Sequence, residues 1–199
     1  GEGWQSFHLS WAYDLVIGPD GVLWATTRGE LKRFDGRDWK PFEESELPSG
    51  VRCLAIDSRG DLWIGTWWDG VVKYDGERWS YYTTADGLGD NSVNCLAIGP
   101  KGEIWAGTDG GGLSRFDGKK WRTYRRKDGL PGNRVWKLAV DRDGKVWAVT
   151  FDTRRKSRAL AYFDGKRWLS AEGTVMDIVP DPQGGIWLAT ERGVVRVSL

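Results

Sequence analysis

Apolar residues fall in short runs separated by polar turns, and the same order of runs and turns recurs along the chain. Each unit opens with a continuous apolar run, such as residues 53–56 or 137–140, and passes through a turn that ends in glycine. A second run then carries a tryptophan and ends in threonine. Short continuous runs of this kind are typical of strands buried on both faces. The anchor tryptophans recur roughly every 40 residues and are Trp24, Trp63, Trp105, Trp147 and Trp187.

Two further strands follow in each unit. The third run leads into an Asp-Gly pair at residues 35–36, 75–76, 117–118 and 164–165. Asp-Gly between two strand-like runs is the strongest short-range signal for a two-residue hairpin. The fourth run opens with Trp39, Trp79, Trp121 or Trp168. The pattern therefore predicts four antiparallel strands in each unit.

Five units of roughly 40 residues with four strands each are typical of propeller blades. We expect an all-β, five-bladed β-propeller in one domain, residues 1–199. The fifth unit stops before its hairpin, and residues 1–4 match residues 36–39, so we expect the N-terminal strand to complete the last blade and close the ring. Closure removes open sheet edges. The expected blades span about 12–43, 51–84, 93–126, 135–171, and 174–199 with 1–9.

The repeated phrase, as in residues 57–88 and 99–130, resembles the two-component regulator propeller repeat. Both stretches include the Asp-Gly-Leu segment of that family, at residues 86–88 and 128–130. Units one and five lack this segment, and unit four has an insertion after Thr150. The resemblance implies a bacterial sensor region outside the membrane, and hence a periplasmic or extracellular location.

Charge and hydropathy limit the classes of partner that we expect for this chain. The 29 basic and 28 acidic residues give a net charge of +1, so no global field attracts nucleic acid. No apolar run approaches the ~18 residues of a membrane span, and residues 1–10 lack the features of a signal peptide. We expect a monomer with no nucleic acid partner and no membrane insertion.

Four of the 14 tryptophans lie outside the repeat positions. Trp67 and Trp68 fall between the second and third strands of blade two, and Trp11 and Trp136 fall near the start of a first strand. Both kinds of connection emerge on one face of a propeller. A surplus of large aromatic side chains on one face indicates a binding site.

One column of the innermost strands varies in chemistry between blades, whereas its neighbours are uniformly aliphatic. Such a column predicts a ligand pocket with an apolar floor and a few polar groups. The alternative is that it only fills the axis. Its residues are Tyr13, Arg52, Asn94, Trp136 and Met176.

The insertion after Thr150 is basic and is expected to form a loop on the same face. Its Arg154, Arg155 and Arg158 have the geometry to bind carboxylate, sulfate or phosphate. The alternative is a solvated charged loop. We expect an anionic or saccharide ligand at this face, with a protein partner as the alternative occupant.

Catalytic and metal-binding signals are weak. The only histidine, His8, is expected in the outer strand of blade five, so no Ser-His-Asp or Cys-His arrangement and no histidine metal site is expected. Cys53 and Cys95 occupy equivalent positions in neighbouring blades, whose side chains point in parallel directions, which predicts two buried free thiols. No cofactor and no metal are expected.

A carboxylate pair remains as the basis for an enzyme. Asp14 and Asp177 lie in the column next to the variable one, where Lys137 would neutralise them. The Trp-x-Gly-Thr phrase also resembles the streptogramin lyase family, whose catalytic histidine has no counterpart here. The sequence therefore favours a non-enzymatic, sensor-type binding domain. The alternative is a protein-interaction scaffold, and a small lyase or hydrolase comes third.

Overall fold

The computed structural model describes residues 6–7, 9, 11–28, 30–43, 47–153 and 156–198. These residues form five antiparallel sheets in chain order. Blade 1 contains β1 (Asp14–Ile17), β2 (Leu23–Thr26), β3 (Leu31–Phe34) and β4 (Trp39–Pro41). Blade 2 contains β5 (Val51–Ile56), β6 (Leu62–Thr66), β7 (Val71–Tyr74) and β8 (Trp79–Tyr82). Blade 3 contains β9 (Val93–Ile98), β10 (Ile104–Thr108), β11 (Leu113–Phe116) and β12 (Trp121–Tyr124).

The two remaining sheets follow the same order. Blade 4 contains β13 (Arg134–Val140), β14 (Val146–Asp152), β15 (Ser157–Phe163) and β16 (Trp168–Glu172). Blade 5 contains β17 (Val175–Pro180), β18 (Ile186–Thr190) and β19 (Gly193–Val197). The prediction of a five-bladed β-propeller with antiparallel blades is confirmed. The expected closing strand falls on residues 1–9, of which 1–5 and 8 lie outside the described residues.

The core lies between the blades, where aromatic rings of adjacent sheets pack together. Trp63 in β6 stacks on Tyr82 of its own blade at 5.9 Å between ring centroids, and it contacts Phe116 of the next blade at 5.8 Å. Trp105 repeats this arrangement with Tyr124 and Phe163. Burial of such large rings is the main favourable term in the packing of neighbouring blades.

The turn between the first two strands of a blade holds the tryptophan that follows it. In blade 2 the Asp57 carboxylate accepts hydrogen bonds from the backbone N–H groups of Arg59 and Asp61, and the indole N–H of Trp63 donates to it at 3.4 Å. Asp141 and Trp147 repeat the side-chain bond in blade 4. Blade 3 has glycine at this position, and the buried indole N–H of Trp105 has no hydrogen-bond partner.

The Asp-Gly hairpins should make stability depend on pH. The pKa of Asp75 lies below its ordinary value of 3.8 because the backbone N–H groups of Arg78 and Glu77 donate to its carboxylate. Backbone hydrogen bonds lower the pKa values of Asp35, Asp117 and Asp164 in the same way. Since the folded pKa is depressed, this stabilisation is present above the unfolded pKa and is lost as the pH falls through the folded pKa.

We therefore expect carbon-13 NMR titration of these four carboxyl groups to give midpoints below 3.8, and urea denaturation to require less urea as the pH drops below about 4. A short unfolded peptide that contains one Asp-Gly hairpin sequence is the control, with an ordinary midpoint near 3.9. Ordinary midpoints in the folded protein would contradict this account.

The Asp-Gly-Leu segments form the connections that lead from blades 2 and 3 to the blade that follows. Each is a single turn of 3-10 helix, Thr84–Asp86 or Arg126–Asp128, ended by a glycine with positive φ. The leucine that follows is buried, with Leu88 packed near Trp121 and Leu130 near Trp168. These segments therefore anchor consecutive blades to each other.

The insertion of blade 4 is a longer hairpin, not the loop that the sequence suggested. Phe151 pairs with Arg158 and Asp152 pairs with Ser157, so β14 and β15 continue beyond the corresponding strands of blades 2 and 3. The backbone hydrogen bonds of the extra residues are thus satisfied within the sheet. Arg126 of the preceding connection forms an ion pair with Asp152. Arg154 and Arg155 lie outside the described residues.

Among the described residues, side chains on the facing surfaces of blades 5 and 1 are more exposed than their equivalents between other blades. Trp187 is 42% exposed, whereas the equivalent Trp105 is 2% exposed, and Leu15 is 60% exposed against 3% for the equivalent Leu54. Phe7 lies on this face of blade 1, with its ring centroid 5.1 Å from that of Phe34. Within the described part of the chain, no helix has the length and apolar character needed to cross a membrane.

Candidate functional site

A cavity of about 270 Å³ lies on the axis, where the first strands of all five blades converge. We call it the axial pocket. Its wall combines apolar, thiol, amide and charged side chains, because the inward-facing positions of β1, β5, β9, β13 and β17 differ from blade to blade. The lining residues are Tyr13, Asp14, Arg52, Cys53, Asn94, Cys95, Leu96, Trp136, Lys137, Leu138, Asp177 and Ile178.

Arg52 is the cation of this pocket with the fewest polar contacts. Its guanidinium lies over the ring of Trp67, with the central carbon 3.8 Å from the centre of the ring. Its Nη1 is buried and makes no hydrogen bond to any described residue. Burial lowers the pKa of the guanidinium, while the carboxylate of Asp109 acts in the opposite direction. A buried cationic donor without a partner costs free energy unless a ligand or water satisfies it.

Asn94 provides an unsatisfied acceptor on the neighbouring blade. Its Nδ2 donates to the backbone oxygen of Val135 at 2.8 Å and reaches Asp109 at 3.4 Å. Its Oδ1 is buried and accepts no hydrogen bond in the described structure. Arg52 and Asn94 occupy equivalent positions in β5 and β9 of neighbouring blades, and both residues line the axial pocket.

The rim beside Asn94 carries a compact ion pair. Arg134 binds Asp109 through two nitrogens, with Nε 3.0 Å from Oδ1 and Nη2 3.1 Å from Oδ2. The same guanidinium lies 5.6 Å from the centre of the Trp136 ring. Trp136 is thereby held at the pocket wall. The sequence analysis did not single out Asp109 and Arg134. Asp109 is nevertheless equivalent to Trp67, because each follows the threonine that ends the second strand of its blade.

The charged residues of the axial pocket next to this ion pair are Asp14, Lys137 and Asp177, and their charged groups contact other groups of the protein. Lys137 Nζ lies 3.2 Å from Asp177 Oδ1. The Asp14 carboxylate accepts hydrogen bonds from the backbone N–H groups of Leu54 and Leu15, at 2.9 and 3.0 Å. Burial raises the pKa of Asp14, and these two hydrogen bonds partly offset the rise. Asp14 thus links blade 1 to blade 2, and Lys137 neutralises Asp177.

The two cysteines are buried free thiols, as the sequence predicted. Both line the axial pocket. Burial raises the pKa of Cys95 to about 12 and that of Cys53 well above its usual range. At neutral pH both are therefore protonated and behave as small apolar groups with weak nucleophilicity. Within the described residues, no cluster of three or more His, Cys, Asp or Glu is arranged to hold a metal ion.

The structure brings together only part of the predicted site. Tyr13, Arg52, Asn94 and Trp136 line the axial pocket, and Trp67 lies beneath Arg52.

Trp68 packs at a tilt against Trp67, with 6.4 Å between ring centroids, and is 69% exposed. Trp11 precedes Tyr13 by two residues, with positive φ, and is 71% exposed.

Met176 was expected in the same pocket but lies elsewhere. Met176 lies at the register shift between Val175 and Asp177, but Arg52 and Trp136 lie at the equivalent shifts of their own blades and still line the pocket. Met176 borders a separate depression of about 650 Å³ with Arg158 and Lys156. Arg158 Nη1 also lies 3.5 Å from the backbone oxygen of Val175. The basic hairpin of blade 4 is therefore beside the axial pocket and not part of its wall.

Comparisons with known proteins agree with this architecture. The profile described as two component regulator propeller matches residues 45–68, 87–110, 129–152 and 170–192. No curated protein matches the chain.

Two solved structures from B. thetaiotaomicron share the fold. The extracellular domain of a hybrid two component system aligns at 21% identity and a TM-score of 0.74, covering 92% of this chain and 27% of that one. The extracellular domain of a one component system aligns at 16% identity and a TM-score of 0.73, with the same coverage. The chain thus spans about a quarter of the length of either domain.

An enzyme shares the fold as well. Virginiamycin B lyase from Staphylococcus aureus aligns at 16% identity and a TM-score of 0.71, covering 96% of this chain and 70% of the lyase. Identities this low establish the shared fold alone. The repeat profile, however, recurs in register with four consecutive blades. Four blades of this chain therefore contain the two component regulator propeller repeat.

Proposed function

We propose that this chain is a non-enzymatic binding domain that takes a small anionic ligand, such as a sugar acid, in the axial pocket. The observation that carries the proposal is that Arg52 and Asn94 line one pocket. Each has one buried polar atom, Nη1 of Arg52 and Oδ1 of Asn94, without a hydrogen-bond partner among the described residues. A carboxylate that accepts from Arg52, next to a hydroxyl that donates to Asn94, would satisfy both groups.

The size and wall of the axial pocket support a small ligand. A volume of about 270 Å³ is just under the range of about 300–1,000 Å³ that is usual for drug-sized ligands. Tyr13 and Trp136 add aromatic surface to the wall, which suits the flat apolar face of a sugar ring. The contact with Trp67 restricts the Arg52 side chain and so lowers the entropy that Arg52 loses on binding.

The charged residues Asp14, Lys137 and Asp177 favour binding over catalysis. A general acid or base needs a carboxyl group that is free to exchange a proton with the substrate. Asp177 is instead paired with Lys137, and both Asp14 oxygens accept backbone hydrogen bonds. None of the described residues that line the axial pocket is a histidine.

The likeness to extracellular domains of one and two component systems supports a sensor role for this binding. In that role, the ligand in the axial pocket would be the signal, and the domain would lie outside the membrane. Trp68 and Trp11, exposed at the same end of the propeller, would then be available to a protein partner.

Tryptophan fluorescence titration tests the proposal. We expect glucuronate to change the emission of the wild-type protein saturably, and glucose to bind more weakly. Arg52→Gln should weaken glucuronate binding about 10-fold or more, because a charge-assisted hydrogen bond contributes about 1.5–3 kcal/mol.

Arg115→Gln is the matched control. Arg115 also lies over a tryptophan, Trp105, and also has a buried nitrogen without a partner, but it is not part of the axial pocket. We expect this variant to bind glucuronate like the wild type. Equal losses in both variants would contradict the assignment of the site. Flat titrations with glucuronate, glucose and sulfate would contradict small-ligand binding and favour a protein partner.

A further inference from the structure

Positive charge is concentrated at the outer edge of blade 3. Residues 119–127 include six basic residues and no acidic one, and we call them the basic edge. The equivalent residues 37–45, 77–85 and 166–174 have at most two basic residues and at least one acidic residue. Since six of the 29 basic residues lie in the basic edge, the rest of the chain has 23 basic against 28 acidic residues. The six are Lys119, Lys120, Arg122, Arg125, Arg126 and Lys127.

The backbone holds the basic edge in a fixed shape. Its centre is β12, which pairs with β11 along its whole length. Before β12, the backbone N–H of Lys120 donates to the carboxylate of Asp117 at 3.0 Å. After β12, the backbone N–H of Arg125 donates to the carboxylate of Asp128 at 2.9 Å. The cations are thus attached to an ordered segment, so little backbone entropy is lost when a partner binds.

Most of these cations have no anionic partner. Among the six, only Arg126 forms an ion pair with a described residue, which is Asp152. Lys119, Lys120 and Arg122 are exposed. Like charges on neighbouring residues repel one another, and a bound polyanion would relieve this repulsion. The described residues run without a gap from 47 to 153, which includes the basic edge and the strands on either side of it in blade 3.

The large apolar side chains of the basic edge are buried. Trp121 is 7% exposed and packs against Tyr82 of blade 2, and Tyr124 is 6% exposed and packs against Phe163 of blade 4. Protein partners usually need apolar or aromatic anchors, and single-stranded nucleic acids need aromatic rings on which their bases stack. The exposed side chains of the basic edge offer repeated positive charge instead. This surface therefore suits a polymer that is recognised by its charge alone.

We propose that the basic edge binds a linear acidic polysaccharide, whose sugar units carry carboxylate or sulfate groups. A strand rises about 3.3 Å per residue, so Lys120 and Arg125 lie roughly 17 Å apart and can contact several units of one polymer. Each exposed ion pair is weak, and binding arises because several form with the same polymer. A single glucuronate is therefore not expected to bind here. No residue of the basic edge lines the axial pocket, so the two sites are separate.

Isothermal titration with polygalacturonate tests the proposal, with dextran as the neutral polymer. We expect the wild-type protein to bind polygalacturonate and not dextran, and binding to weaken steeply as the salt concentration rises. Lys119→Glu with Arg122→Ser gives blade 3 the residues that blade 2 has at the equivalent positions, Glu77 and Ser80. This double variant removes two cations and adds an anion, so it should weaken polygalacturonate binding about 10-fold or more.

Arg37→Glu with Lys40→Ser is the matched control. It makes the same change of charge at the equivalent positions of blade 1 and should bind polygalacturonate like the wild type. If the blade 3 variant does not fold, Lys119→Glu with Lys127→Glu changes two turn residues instead and should weaken binding to a similar extent. Saturating glucuronate should leave polymer binding unchanged, which separates this proposal from that for the axial pocket.

Three outcomes would overturn the proposal. Absence of polygalacturonate binding at low salt would make the basic edge a solvated surface. Equal weakening by the blade 3 and blade 1 variants would show that only the overall charge matters. Tighter binding of poly-glutamate or of oligothymidylate than of polygalacturonate, lost in the blade 3 variant, would assign the basic edge to an acidic protein or to a nucleic acid. The glucuronate titration of the axial pocket is unaffected by any of these results.

Discussion

Replacing Gly112 with alanine is expected to lower the free energy of unfolding by about 2–5 kcal/mol. Gly112 has a φ of +95°, and a Cβ atom there would lie 2.1 Å from the backbone oxygen of Tyr124 in β12. The substitution therefore combines backbone strain with a collision that only a shift of the outer strand can relieve. Urea denaturation, followed by circular dichroism, measures the change.

Gly118→Ala is the matched control. Gly118 has nearly the same φ, +94°, but no atom lies within 4 Å of the position that a Cβ would take. Only the backbone strain remains, so we expect a loss of about 1–2 kcal/mol. Equal losses at both positions would mean that the close approach of Gly112 to Tyr124 does not exist in solution.

Replacing Trp105 with alanine is expected to destabilise the protein by about 3–5 kcal/mol. Its ring is 2% exposed, stacks on Tyr124 at 5.9 Å and contacts Phe163 of the next blade. Removing it leaves a cavity between blades 3 and 4 that the rigid sheets cannot close. The free energy of unfolding from urea titration is again the quantity to measure.

Trp187→Ala removes the equivalent residue of blade 5 and should cost only about 1–2 kcal/mol, because this ring keeps much of its contact with water. Its exposure is 42%. A loss as large as that of Trp105→Ala would show that the face of blade 5 is covered in solution, in contradiction to the exposed surface described above.

The repeat made the sheets predictable because each strand boundary is marked by a residue with one local role. Each Asp-Gly pair begins the four-residue turn between a third and a fourth strand, and the tryptophan after each turn opens an outer strand. These signals act within a few residues and need no tertiary information. The column of Tyr13, Arg52 and Asn94 was also predictable, since the first strands of the blades lie around the axis of a propeller.

Departures from the repeat were not predictable in this way. The pairing of Phe151 with Arg158 depends on strand register, and the placement of Met176 beside Arg158 depends on the neighbouring blade; an alignment of the repeats shows neither. The ion pair of Arg134 with Asp109 joins two blades, so neither repeat reveals it alone. Exposure of Trp187 depends on the neighbouring blade and not on its own sequence, which matches that of the buried Trp105.

The account rests on Arg52 and Asn94 as the two groups that hold the ligand, and side-chain NMR observes both directly. We would label the protein with nitrogen-15 and follow the Arg52 Nε–H and the Asn94 side-chain amide during addition of glucuronate. The account predicts that both signals shift with one saturation curve, and that glucose moves them less. Saturable binding of glucuronate that leaves both signals unmoved would contradict it.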